Sequence, residues 1–201
     1  IVNAAVAAFG KVDTLVYAAG VLGDQALVRA DAAAYERVQD VHLKGAFFAI
    51  RAVADVMQRA DGGRIVLTTS SAGLLGNFGQ AAYSAAAAGV YGLMRTASIE
   101  LQRRHVFVNA VAPMAKTRLT EDLPLFEEVN TMTAEHAAPA YLFFGSELSG
   151  DATGNVLGVA GGRISTYRLT ESSGRFKDAD AGIWTADEIR DQWGAMGTSR
   201  P

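Results

Sequence analysis

The 201-residue sequence contains no cysteine, so disulfides and thiolate metal sites are excluded. Histidine is nearly as scarce. His42, His105 and His136 are far apart, and no metal-ligand spacing joins them. Charge of one sign is also missing: 18 basic against 21 acidic side chains leave a net charge of −3 and a pI near 5.6. That balance lacks the basic footprint of a nucleic-acid binder. A long purely apolar run is absent too. No charged residue stands between Arg64 and Arg95, but the stretch carries Thr68, Thr69, Ser70, Ser71, Asn77, Gln80 and Ser84 among glycines. A membrane span needs about 20 predominantly apolar residues, so this stretch reads as strand, loop and small-residue helix of a water-facing domain. The first ten residues show no basic n-region of a secretory signal. These absences lead to the expectation of a cytoplasmic protein without membrane or nucleic-acid partners.

What is present is core-forming material. Half the residues are hydrophobic, 19% are charged and the mean hydropathy is +0.14. That is the opposite of a disordered composition and enough for one domain, or one domain and a tail. The start, IVNAAVAAFG, reads as a helix already under way, with no capping residue before it and Gly10 as its stop. The expectation is a chain that begins inside a domain.

Helix and strand patterns then alternate. TLVYA, from Thr14 to Ala18, is a short apolar run that predicts a strand buried on both faces. Asp31 is placed to cap a long helix through Tyr35, Val38, Val41, Phe48, Val53 and Met57, ended by Asp61-Gly62-Gly63. RIVLTT, from Arg64 to Thr69, predicts the next buried strand. GLLGNFG predicts a loop, and a helix follows from about Gln80 to Arg104. VFVNAV predicts a strand ended at Pro113, Thr133 opens a helix reaching Gly145, and NVLGVA predicts a last strand closed by Gly161-Gly162. Apolar strands between helices specify an α/β fold, a Rossmann-like doubly wound parallel sheet over residues 1–162. From 163 to 201 the composition turns polar, with Trp184 and Trp193 as isolated anchors, and reads as a C-terminal extension.

Ligands of such sheets bind at the carboxyl ends of the strands. Ser70 stands at that end of RIVLTT. Tyr83, thirteen positions later, falls in the first turn of the next helix, with the glycine loop folding back between them. A hydroxyl and a phenol converging there can grip one carbonyl oxygen, one by hydrogen bonding and the other by passing a proton.

TTSSAGLLGNFGQAAYSAA, with VDTLVYAAG and VHLKGAFFAI before it and VNAVAP after it, resembles the short-chain dehydrogenase/reductase family from Ile1 to Gly162. His42 in VHLKG, the loop GNFGQ, APMAKTRLT and the tail are similar to the (3R)-hydroxyacyl-CoA dehydrogenase domains of multifunctional β-oxidation proteins. The resemblance implies that Ser70 polarises the substrate oxygen and that Tyr83 is the general acid or base of a hydride exchange with NAD or NADP. His42 would occupy the place of a proton-relay asparagine. Ala19, Gly20, Pro113, Met114 and Thr117, with Tyr83, would lie along the cofactor. The implied substrate is an acyl thioester. The implied partner is another subunit of the same family, homo- or hetero-oligomeric, met through the helices at 31–60 and 80–104.

Three departures stand against that pattern. The family's Tyr-x-x-x-Lys reads Tyr83-Ser84-Ala85-Ala86-Ala87 here, so the cation one turn above the phenol is replaced by a methyl group. Ala18 stands in place of an asparagine, and Met114 in place of a common glycine. No Gly-x-x-x-Gly-x-Gly turn precedes TLVYAAG, so the expectation is a domain without its pyrophosphate-cradling start and with cofactor binding dependent on it. Three functions stay open: a thioester-linked hydroxyl/carbonyl oxidoreductase, a catalytically impaired subunit partnering an active one, and a cofactor-free acyl-binding module.

Overall fold

The computed structural model describes residues 1–121 and 131–196. Contacts divide the chain into two units, 1–167 and 168–201. In the first unit, α1 (Val2–Phe9) leads into β1 (Thr14–Tyr17). A helical run follows, made of α2 (Ala32–Gln39), a π-helical turn (Asp40–Lys44) and α3 (Gly45–Arg59). Next come β2 (Gly63–Thr68), α4 (Ser71–Leu75), α5 (Ala81–Leu101) and β3 (Val106–Met114). The unit closes with α6 (Ala134–Gly145), β4 (Val156–Ala160) and β5 (Arg163–Tyr167).

Among the described residues the strands form one sheet in the order β1-β2-β3-β4-β5. The first four are parallel and β5 returns antiparallel on β4. Helices cover both faces, as a parallel sheet requires. On one face Ile65, Leu67, Val106, Val108 and Ala110 pack against Ile50, Val53 and Met57 of α3 and Val90, Met94 and Ala97 of α5. On the other, Val66, Val111 and Val159 meet Ala140 and Phe144 of α6. The alternation along β2 is the period-two pattern of a strand between two apolar layers. Buried Asn109 on β3 donates to Ala152 O and accepts from Asn155 N, pinning the turn into β4.

Several expectations are corrected. β1 is not buried on both faces: it pairs with β2 alone among the described strands, and Val16 is 48% exposed. The long helix is capped by Asp31, whose carboxylate accepts from Ala33 N and Ala34 N, but it is not a straight α-helix. Its inward row is Val38, His42, Ala46, Ile50, Val53 and Met57, while Tyr35 and Phe48 face out, because the π turn shifts the phase between its halves. The loop expected from Gly73 begins as a helical turn, α4, capped by Ser70 Oγ on Ala72 N. β3 runs past Pro113 to Met114. Its pairing with β2 stops at Val111, so beyond that point a proline without an N–H breaks no bond to β2. Residues 163–167, read as the start of the extension, form β5, an edge strand turned back at Gly161 with its left-handed φ of 54°.

In the second unit, Thr185 caps α7 (Ala186–Gln192) in a reciprocal box with Glu188. Lys177 Nζ donates to Glu188 at 2.8 Å and stands 5.5 Å over the Trp184 ring.

Candidate active site

The carboxyl ends of β2 and β3 open onto a cleft of about 300 Å³. Its walls include Ser70, Tyr83, Pro113 and Met114, together with Leu22, Leu75, Asn77, Gln80 and Thr120. Four residues singled out from the sequence therefore share one surface, on the strand ends where such sheets bind ligands.

Ser70 lies two residues past the end of β2 in an extended conformation, and it lines the cleft together with Tyr83. Accepting from Ala72 N at 3.1 Å fixes the hydroxyl and leaves its proton free to point along the cleft. Tyr83 sits in the first turn of α5. Burial is the main reason its phenol ionises above the usual range; the Ser70 hydroxyl works against that, and the Asp24 carboxylate works with it.

His42 packs against the site without lining it. Its ring meets Tyr83 edge-on, centroids 5.1 Å apart. Nε2 lies 3.0 Å from Val21 N and 2.9 Å from Val21 O, so it accepts from the first when bare or donates to the second when protonated. The imidazole is 8% exposed and clasps the loop after β1. Gly20 makes that clasp sterically possible: a Cβ there would stand 2.6 Å from His42 Cε1.

Of the other residues expected along a cofactor, Ala19 is exposed at the end of β1. Thr117 lies outside the cleft wall, with its backbone N–H bonded to Thr120 Oγ1, and Thr120 takes its place in the lining. Ala87 is 3% exposed under α4. Its carbonyl accepts from buried Thr69 Oγ1 at 2.9 Å, and a Cβ on Gly73 would stand 2.7 Å from its methyl. Position 87 thus brings neither charge nor donor to the phenol.

Sequence reasoning missed Leu22, Leu75, Asn77, Gln80 and Thr120. The one local signal was Gln80 directly before the helix start. Its amide donates to Asp24 Oδ2 at 2.7 Å and accepts from Asn77 Nδ2 at 2.8 Å. Among the described residues no group of three His, Asp or Glu side chains could hold a metal, and no helix is long and apolar enough to cross a membrane.

Comparison with known proteins adds identity to geometry. The family model for short chain dehydrogenases matches residues 1–127. Peroxisomal multifunctional enzyme type 2 of Mus musculus is 34% identical over 193 residues, covering 96% of this chain but 26% of the relative. The 3-oxoacyl-[acyl-carrier-protein] reductase FabG of Thermotoga maritima is 36% identical over 174 residues, 82% of this chain and 71% of that protein. A crystal structure of a short chain dehydrogenase from Mycobacterium avium superposes with a TM-score of 0.84 at 35% identity, over 100% of this chain and 70% of that one. The chain spans about a quarter of the mouse multifunctional relative.

Proposed function

The chain belongs to the short-chain dehydrogenase family, and from that premise we propose that it interconverts a hydroxyl and a carbonyl on a 3-hydroxyacyl or 3-oxoacyl thioester. The observation that carries the reading is the convergence of Ser70 and Tyr83 on one cleft at the strand ends. Ser70 holds the reacting oxygen, and Tyr83 gives it a proton in reduction or takes one in oxidation. Leu22, Leu75, Pro113 and Met114 give the cleft an apolar wall for an acyl group, while Asn77 and Gln80 place amides beside it.

A nicotinamide supplies or accepts the hydride when bound. The chain fits its ring end: Pro113 and Met114 form an apolar wall next to Ser70 and Tyr83, and Ala19 leaves the end of β1 open. It does not offer the ribose an ammonium, because position 87 is a buried alanine. NAD and NADP are both compatible with these residues. The composition without cysteine suits a cytoplasmic setting.

The test follows oxidation of reduced nicotinamide with acetoacetyl-CoA. Tyr83→Phe should lower turnover by about 10²–10⁴-fold, the worth of a positioned proton donor, and Ala87→Lys should raise it. Bound cofactor without turnover in either the unaltered chain or Ala87→Lys would support a second reading, that of an impaired subunit paired with an active dehydrogenase. Two features favour that alternative: the methyl group at position 87, and the exposed Phe47 and Phe48 on α3, whose rings stack edge-on at 5.4 Å.

A further inference from the structure

We infer that Leu75 is the residue by which the cleft selects acyl-chain length: chains long enough to reach the mouth are held on its side chain. The inference rests on the thioester reading above and goes beyond it to the length of the substrate.

The position of Leu75 follows from its local sequence. Ser70 Oγ starts α4 by accepting from Ala72 N, and Gly76 ends it, donating its N–H to Ala72 O at 2.9 Å with a positive φ of 78°. Gly73, between them, lets the helix lie close against Ala87 of α5. Ser70 and Leu75 therefore stand at opposite ends of one short, anchored helix, and both line the cleft. At 1.5 Å per residue the helix carries Leu75 about 7 Å from the serine that holds the reacting oxygen. A chain of octanoyl length has enough carbons past its reacting carbonyl, at about 1.5 Å per bond, to cover that distance; a chain of butyryl length does not.

The chemistry of the walls names the part of the substrate that goes there. Among the described residues no charged side chain lines the cleft, which suits methylenes rather than a carboxylate. Leu75 lines it and is yet 76% exposed, so most of its apolar surface stands open to water at the mouth. An acyl chain laid on it removes that surface, and its own, from water. Leu22, from the loop after β1, lines the same cleft. Gln25 N donates to Gly79 O at 2.8 Å and Gln80 Nε2 to Asp24 Oδ2 at 2.7 Å, so the loop that carries Leu22 is tied to the one that follows Leu75. The two apolar walls are held in relation to each other before any chain arrives.

The same loop supplies a control. Phe78, three positions on, is larger and 92% exposed, but it does not line the cleft. Exposure alone would make Phe78 the better grip for any oily chain; the shape of the cleft assigns the grip to Leu75.

The test measures binding of butyryl-, hexanoyl- and octanoyl-CoA by calorimetry, and kcat/KM for the 3-oxoacyl-CoA of each length with reduced nicotinamide. In the unaltered chain affinity should rise with length. Leu75→Ala should cut the preference for octanoyl over butyryl by about three- to tenfold, part of the worth of burying a leucine side chain. Leu75→Gln, which keeps the length of the side chain and loses its apolar end, should act in the same direction. Phe78→Ala should leave the preference intact. Absence of a preference in the unaltered chain, a preference that survives both Leu75 variants, or an equal loss in Phe78→Ala each overturns the inference. The N-acetylcysteamine thioesters, which carry the acyl chain without a nucleotide or a carrier protein, should show the same order; a preference confined to the CoA esters overturns it too. A preference that depends on Leu75 with no turnover of any 3-oxoacyl ester supports the inference and counts against the proposed reaction. Failure of every thioester to bind overturns both.

Discussion

The phenol of Tyr17 donates to the carbonyl of Val41 at 2.6 Å, across the seam between the sheet edge and the helix that carries His42. That carbonyl is available because Gly45 N–H reaches back five residues to Asp40 O instead of four to Val41 O. Gly45 also makes the room: a Cβ there would stand 1.9 Å from the Tyr17 hydroxyl. One π turn, one glycine and one tyrosine therefore interlock, and together they place His42 against the candidate site.

Gly45→Ala should destabilise the chain by roughly 1–3 kcal/mol, since the strain of an inserted methyl outweighs the gain in helix propensity of about 1 kcal/mol. Tyr17→Phe alone should cost about 1 kcal/mol, the worth of one hydrogen bond. In the Tyr17→Phe background the penalty of Gly45→Ala should shrink, because the atom it strikes is gone. Urea denaturation of the four chains measures that coupling; strictly additive losses would contradict the interlock.

Gly20→Ala tests the clasp on the other side of His42. The added methyl would drive the imidazole off Val21 and toward Tyr83, at a cost of roughly 1–3 kcal/mol. Replacing His42 by Asn in the same chain should recover part of that loss. The expected signature is a lower urea midpoint with an unchanged slope.

Tyr141 on α6 offers an alkaline readout. The Thr68 hydroxyl donates to Tyr17 O, so in the 2.8 Å contact between Thr68 and Tyr141 the phenol is the donor. Burial pushes the ionisation of this phenol up to about 12. Its contribution is therefore complete below pH ~10 and is lost as pH rises toward 12, because the unfolded chain releases the proton first. Tyr141→Phe should lower neutral-pH stability by about 0.5–1.5 kcal/mol and flatten the alkaline fall in a pH series of thermal melts.

Acid should act on the second unit. The hydrogen bonds from Lys177, ahead of those from Thr185, hold the Glu188 carboxyl down at about 2. A depressed carboxylate stabilises above the ordinary glutamate range and loses that contribution as pH falls toward 2. Both tryptophans, Trp184 and Trp193, lie in this unit, so their emission reports it alone. Emission should change between the ordinary glutamate range and about pH 2. In Glu188→Gln that acid step should disappear.

The legible parts of the molecule were those set by neighbours in sequence. Ser70 closes an apolar run and Tyr83 opens a helix, so a local pattern brings both to one strand end. Asp31 announces its helix by capping it. Gln80 and Asp24 were not legible, because their bond spans 56 positions and neither residue type is unusual in a loop. β5 escaped because RISTY is polar, and an edge strand with one partner needs no apolar run. α4 escaped because its glycine, Gly73, reads as a turn signal, while in the fold it allows close approach to Ala87. The π turn did leave a trace. Val38, His42, Ala46 and Ile50 are four apart throughout and all buried. In a straight α-helix each such step drifts about 40° around the axis, so a row of this kind requires local underwinding.

That extra residue works as a timing device. Removing one position from 40–44 would restore an ordinary hydrogen-bond ladder and leave Ile50, Val53 and Met57 meshed with the sheet. Everything ahead of it would turn by about 100°. Val38 would leave Ala82 and Ala86, the small cluster on which Tyr83 rests. The helix thus serves two neighbours whose rhythms differ by one residue, and the candidate site sits at the beat where they are brought into step.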